Sequence, residues 1–137
     1  MMRPASAPVL VMGLGCRQGC SADDLWALIE ASLREAGIAL SAICGLASIE
    51  HKRAEPGLIE LGARLALPLT VFSAERLAPY APQLSQRSAV AFEQTGCFGV
   101  AESSALALAG QLAGTPARLL ITRKHSPVAT FALACAG

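Results

Sequence analysis

The chain has few aromatic residues and almost no excess of charge of either sign. Phe, Trp and Tyr make up 4% of its 137 residues, and 11 Lys and Arg against 10 Asp and Glu give a formal net charge of +1. Base-stacking platforms need aromatic side chains, and surfaces that follow a phosphate backbone need clustered cations. We therefore expect no nucleic-acid partner.

Long apolar runs are absent as well. No run approaches the roughly 20 residues that a membrane-spanning helix needs. Residues 7–16 are apolar but short and interrupted by glycine, so we interpret them as a first strand and not as a signal peptide. We expect a soluble, cytoplasmic protein without a membrane partner. Its 53% hydrophobic content is enough for one core, and we predict a single domain over residues 1–137.

The cysteines form no recognisable metal or redox pattern. Their number is odd, and their spacing fits neither a zinc site nor a C-x-x-C pair, so we expect no bound metal and no cofactor. They are Cys16, Cys20, Cys44, Cys97 and Cys135. Cys16 allows two interpretations. A thiol beside Arg17 near a helix N-terminus is typical of a reactive cysteine with a lowered pKa, and a small buried side chain that packs the loop is the alternative.

The most informative motif is a glycine-rich segment between an apolar strand and a capped helix. Residues 9–12 predict the strand, Gly13, Gly15 and Gly19 predict a loop, and Ser21 is a good N-cap for a helix that ends at Gly37. A glycine loop before a helix N-terminus is a natural anion site. Its spacing matches neither the dinucleotide fingerprint nor the P-loop, which disfavours a nucleotide.

Downstream patterns alternate between strand and helix. We predict a strand over residues 40–47, a helix from Pro56 to Pro68, and a strand over residues 69–72. Residues 74–93 predict irregular or short helical structure, and a buried helix follows over residues 100–112. Residues 119–122 and 130–134 predict a closing hairpin. The alternation predicts a three-layer α/β/α domain with a mainly parallel or mixed sheet and a C-terminal hairpin.

Polar clusters follow several of the predicted strands. Residues 16–17, 48–53, 102–104 and Lys124 are therefore expected to converge at one sheet edge. Arg17, Lys52, Lys124 and His51 would surround one or two of the carboxylates of Glu50, Glu55 and Glu102. Such a pocket favours a ligand with several carboxylates. Ordinary solvated turns, a helix-terminal carboxylate at Glu102 and an exposed hairpin tip at Lys124 are the structural alternatives.

The ordered motifs resemble the CobE family of cobalamin biosynthesis, which is also the C-terminal domain of CbiG proteins. The matching segments are VMGLGCR (residues 11–17), LASIEHK (46–52), EPGL (55–58), residues 68–74, VAE (100–102) with Ala105, and Lys124 with ATFA (129–132). The resemblance covers nearly the whole chain and looks like the stand-alone CobE form. By matching position, the resemblance implies that the motif residues of the family are, in this chain, Gly13, Gly15, Cys16, Arg17, Ser48, Lys52, Glu55, Gly57, Glu102 and Lys124.

The resemblance implies a precorrin or corrin ligand, a macrocycle edged with acetate and propionate carboxylates, and a place in the aerobic, late-cobalt-insertion route to vitamin B12. Other enzymes of that pathway are the implied protein partners. Two functions stay open at this point. The chain binds an intermediate, or it is a hydrolase that opens a ring lactone of a precorrin with loss of a two-carbon fragment as acetaldehyde. In the hydrolase, Glu102 or His51 would activate water, and Lys52 or the amides of residues 13–17 would stabilise the oxyanion.

Overall fold

A computed structural model describes residues 8–137, so residues 1–7 of the predicted domain lie outside the described residues. Its centre is one five-stranded sheet in the order β3-β2-β1-β5-β4. The strands are β1 (Val9–Cys16), β2 (Gly45–Ile49), β3 (Leu69–Phe72), β4 (Ala117–His125) and β5 (Ala129–Ala136). β1, β2 and β3 are parallel, and β5 runs antiparallel to both β1 and β4. The prediction of a mixed sheet closed by a C-terminal hairpin is confirmed.

Helices cover both faces of the sheet. They are α1 (Ala22–Ala36), α2 (Pro56–Leu65), α3 (Ala74–Leu77), α4 (Ala89–Thr95) and α5 (Val100–Ala113), with short 3₁₀ helices at Leu40–Ala42, Glu50–Lys52 and Ala78–Gln83. α1 and α2 pack on one face and α5 on the other, which confirms the three-layer prediction. None of the helices in residues 8–137 has the length and apolar character that a bilayer crossing requires.

Side chains of β1 alternate between the two faces of the sheet and pack into two separate cores. Val9 and Val11 face α5, whereas Met12 and Leu14 face α1 and α2. α5 lies unusually deep for a helix, because every residue from Val100 to Ala109 is buried. Its small alanine and serine side chains let the helix backbone approach the sheet closely.

Helix boundaries follow the capping residues that the sequence supplies. Ser21 accepts a hydrogen bond from the Asp24 amide at 3.0 Å, and α1 ends at Gly37 in the left-handed conformation. Pro56 occupies the first turn of α2, where its missing N–H costs nothing. These boundaries confirm the predicted starts of both helices.

Three predicted boundaries were wrong. Gly13 and Gly15 lie inside β1 and not in a loop, because the strand continues to Cys16 beside β5. The predicted strand over residues 40–47 is a 3₁₀ turn followed by β2, which begins only at Gly45. The hairpin strands reach His125 and resume at Ala129, so Lys124 lies within β4 and not in a loop.

Gly13 should tolerate no side chain. A Cβ atom there would lie 1.8 Å from the carbonyl oxygen of Ala101 in α5, and a backbone atom cannot move aside. We expect Gly13→Ala to destabilise the fold by about 3 kcal/mol or more, at the upper end of overpacking effects, and thermal unfolding measures this. Gly45→Ala is the matched control, because its Cβ would meet Leu108 Cδ2 at an ordinary 3.5 Å. Equal melting temperatures for the two variants would contradict the close approach of α5.

Candidate functional site

A large cavity opens at the carboxyl-terminal ends of β1, β2 and β4. Its volume of about 980 Å³ lies at the upper end of the range for small-molecule sites. One wall is formed by the strand ends and by the turn between β4 and β5. The opposite wall is formed by α4 and its flanking residues, and we call residues 84–99 the cap. The cavity therefore lies where open α/β sheets bind ligands.

Basic side chains line this cavity from three strands. Arg17 follows β1, His51 and Lys52 follow β2, and Arg123 and His125 lie at the end of β4. His51 and His125 are the two histidines of the chain. Three strand spacings separate β2 from β4, so these groups extend over about 14 Å along the sheet edge. The arrangement suits a ligand whose negative groups are spread over a similar distance.

The guanidinium of Arg17 is exposed and has no hydrogen bond or ion pair with any residue in the described range 8–137. Its backbone N–H, in contrast, donates to the Val128 carbonyl at 2.8 Å. The loop after β1 is therefore fixed through its backbone. The Arg17 side chain remains available to an external anion.

Lys52 is held close to a buried carboxylate. Its Nζ lies 3.8 Å from Glu55 Oε1, and only 13% and 8% of the two side chains are exposed. Glu55 Oε2 accepts a hydrogen bond from the Gly19 amide at 3.1 Å. The glycine-rich turn was expected to bind an anionic ligand, but its Gly19 amide binds the carboxylate of Glu55 instead. The same carboxylate holds Lys52 close to this turn.

Among the described residues that line the cavity, Glu102 is the one carboxylate. It is buried in the first turn of α5, where the helix dipole stabilises its charge. Oε1 accepts from the Ser85 amide at 2.9 Å. Oε2 accepts from Ser85 Oγ at 2.5 Å and from the Arg123 amide at 2.8 Å. Three hydrogen-bond donors of the protein thus bind this carboxylate.

The structure brings together only part of the predicted site. Gly15, Cys16, Arg17, His51, Lys52 and Glu102 line the cavity, and Gly13, Ser48, Glu55 and Lys124 do not. Gly13 lies against α5, and Ser48 is buried with its hydroxyl donating to the Leu14 carbonyl at 2.7 Å.

Lys124 is the clearest correction to the predicted set of cations. Its Nζ lies 3.2 Å from Glu35 of α1, on the face of the sheet away from α5. Arg123 and His125 line the cavity instead and were missed. Register shifts in β4 between Leu119 and Ile121 and between Ile121 and Lys124 interrupt the alternation of side chains. Because of them, no sequence pattern assigned Arg123 and Lys124 to their faces, and residues 123–127 were predicted to be a loop.

Cys16 lines the cavity but lacks the environment of a reactive thiol. Burial raises its pKa to about 11, and the positive charge of Lys52 offsets this only in part. The expectation of a lowered Cys16 pKa was wrong, because desolvation of the thiolate outweighs the neighbouring cation. Cys16 remains a small side chain in the wall of the cavity.

Comparisons with known proteins agree on one family. A family model described as "Cobalamin synthesis G C-terminus" matches residues 10–134. The chain is 36% identical over 125 residues to Protein CobE of a Sinorhizobium species, covering 91% of this chain and 79% of that protein. It is 32% identical over 102 residues to a cobalt-precorrin-5A hydrolase of Priestia megaterium, covering 74% of this chain and 27% of that longer protein.

Two solved structures share the fold. A crystal structure of CobE, described as a protein from the cobalamin (vitamin B12) biosynthetic pathway, superposes with a TM-score of 0.93 at 43% identity and covers 99% of this chain and 96% of that one. The cobalamin biosynthesis protein chiG of Agrobacterium tumefaciens gives a TM-score of 0.69 at 33% identity, with 92% and 97% coverage.

The raised pKa of Cys16 predicts slow alkylation at neutral pH. Iodoacetamide reacts with the thiolate, so the rate at Cys16, followed by peptide mass spectrometry, should rise about tenfold per pH unit from pH 7 to pH 10 without a plateau. Lys52→Met should slow the reaction further, because it removes the charge that lowers the pKa. A plateau below about pH 8 would show a lowered pKa and would restore the nucleophile interpretation.

Proposed function

Because this chain belongs to the cobalamin synthesis G C-terminal family and is a cobalamin biosynthesis protein of the CobE type, we propose that its cavity binds a precorrin or corrin intermediate. Such a macrocycle carries acetate and propionate carboxylates around its edge. The observation that carries the proposal is the set of cavity cations, above all Arg17, whose side chain has no partner in residues 8–137.

Charge and shape both support this ligand class. The basic groups are distributed along about 14 Å of the sheet edge, which favours several separate carboxylates over one compact anion. Between them the cavity offers apolar side chains from Ile49, Val90, Phe98, Val100 and Val128. These suit the apolar faces of a macrocycle, while the cations bind its edge.

The carboxylates of the protein near the cavity leave most of these cations available to a ligand. Glu102 is bound by three donors of its own, and Glu55 pairs with Lys52 while also holding the Gly19 amide. Arg17, His51 and His125 are left without a carboxylate partner among the described residues. We place the bound intermediate in the aerobic route, in the cytoplasm, with other pathway enzymes as the proteins that deliver and receive it.

The alternative is lactone hydrolysis, suggested by the 32% identity to a cobalt-precorrin-5A hydrolase of which this chain spans about a quarter. The geometry offers it little support. Glu102 is held by three donors, and the Arg17 and Gly19 amides donate to Val128 and Glu55, so they are not open to an oxyanion. His51 is left as an exposed imidazole at the rim without an orienting partner in residues 8–137.

Product analysis separates binding from hydrolysis. When purified protein is incubated with a lactone-bearing precorrin, we expect no acetaldehyde above the level of a protein-free control. Mass spectrometry should recover the macrocycle unchanged. Catalytic release of acetaldehyde that is lost in His51→Ala would establish the hydrolase function instead.

Affinity measurements on matched charge variants test the binding site itself. Arg17→Ala should weaken binding of hydrogenobyrinic acid by about ten- to a hundredfold, the effect of losing one charge-assisted hydrogen bond. Lys124→Ala removes the same charge outside the cavity and should leave the affinity unchanged. Arg17→Lys should recover part of the loss, because an ammonium group cannot form the bidentate contact. Absorbance titrations of the macrocycle provide the measurement.

Thermal unfolding of the same preparations is the control. Arg17 is exposed and its side chain has no partner in the part of the chain that the structure describes, so its replacement should not change the melting temperature. Equal losses of affinity in Arg17→Ala and Lys124→Ala would mean that only net charge matters, and the assignment of the cavity would then fail.

A further inference from the structure

The cap is a nearly self-contained unit. Within it, the Ser88 amide donates to the Phe98 carbonyl at 2.9 Å and closes the segment at its base. Phe92 stacks on Phe98 with ring centroids 4.4 Å apart, and Ser88 caps α4 by accepting from the Ala91 amide. These contacts maintain the shape of the cap. They do not attach it to the sheet.

Two kinds of contact attach the cap to the rest of the fold. Cys97 near its end is buried in the core beside α5, and polar contacts hold its start. Glu102 binds Ser85 through both the amide and the hydroxyl, and Arg123 Nη1 donates to Gln86 Oε1 at 2.8 Å. At the other end, the cap continues directly into α5 after Gly99. The cap is thus covalently continuous with the fold at both ends, through the 3₁₀ helix that ends at Gln83 and through α5. Glu102 and Arg123 add non-covalent contacts near the first of these ends.

Glu102 joins the two attachment points to each other. Its Oε2 accepts from Ser85 Oγ and also from the backbone amide of Arg123 in β4. One buried carboxylate thus links α5, the cap and β4 at the wall of the cavity. Removing it would leave the Ser85 and Arg123 amides without this charged acceptor, and hydrogen bonds to a carboxylate are stronger than those to a neutral group.

We propose that Glu102 is a positioning residue, whose carboxylate clamps the cap over the cavity and fixes Arg123 at the cavity wall. The clamp itself is a property of the folded chain alone. Its consequence for ligand retention rests on the proposed function. Glu102 acts in this account through Ser85 and Arg123, and not through contact with a ligand.

Hydrogen–deuterium exchange in the ligand-free protein tests the clamp. In Glu102→Gln, amides of residues 84–99 should exchange about tenfold faster or more, because charge-assisted hydrogen bonds to the segment are lost. Amides of β1 and β5 should change by less than about twofold. Ser104→Ala is the matched control on the same helix, since the Ser104 hydroxyl donates back to the Val100 and Ala101 carbonyls of α5 itself. It should leave the cap unchanged.

A milder variant keeps the test decisive if Glu102→Gln does not fold. Ser85→Ala removes one donor from an exposed position and leaves the carboxylate in place, and it should accelerate exchange in the cap by a smaller factor. Cap exchange equal to that of the unmodified protein, or acceleration spread evenly over cap and sheet, overturns the proposal for whichever variant folds.

Ligand dissociation forms a second, separate arm. Hydrogenobyrinic acid should leave Glu102→Gln about tenfold faster than it leaves Ser104→Ala. If no corrinoid binds to the unmodified protein, the proposed function fails while the exchange result stands. If the corrinoid binds and its dissociation does not change although the cap opens, the clamp has no role in retention and that part of the proposal is wrong.

Discussion

The close approach of α5 to β1 is the constraint on which the rest of the molecule depends. Gly13 lies so close to the backbone of α5 that there is no room for a Cβ atom. The first ten residues of that helix are all buried, and many of them have small side chains. This contact brings the N-terminus of α5 to the carboxyl-terminal edge of the sheet. Glu102 and the cap are carried there with it, and a cavity forms between the cap and the strand ends.

Two buried carboxylates then organise the edge in the same way. Glu55 holds the turn after β1 and pairs with Lys52, and Glu102 holds the cap and the end of β4. Both carboxylates bind hydrogen-bond donors and cations of the protein itself. Buried charges need such partners to offset the cost of desolvation. The cations that remain, led by Arg17, give the cavity a positive character in a chain whose net charge is only +1.

The sequence was sufficient for features set by local chemistry. The caps at Ser21 and Gly37, the proline start of α2 and the three-layer alternation are local patterns, and all are confirmed. Features set by long-range packing were not accessible. Gly13 and Gly15 suggested a loop because no local signal reveals that a helix backbone will pack against them. The pairing of Lys124 with Glu35, 89 residues away, likewise follows from tertiary structure alone.

Chemical-shift mapping of the ¹⁵N-labelled protein with hydrogenobyrinic acid tests the central claim most directly, because it locates the ligand without presupposing any residue. We expect the perturbed amides to cluster within residues 15–18, 49–52, 88–102 and 123–130, the segments that contain the residues lining the cavity. The amides of α1 around Glu35 should not shift. Perturbations centred on another face of the sheet, or none at saturating ligand, would contradict the account.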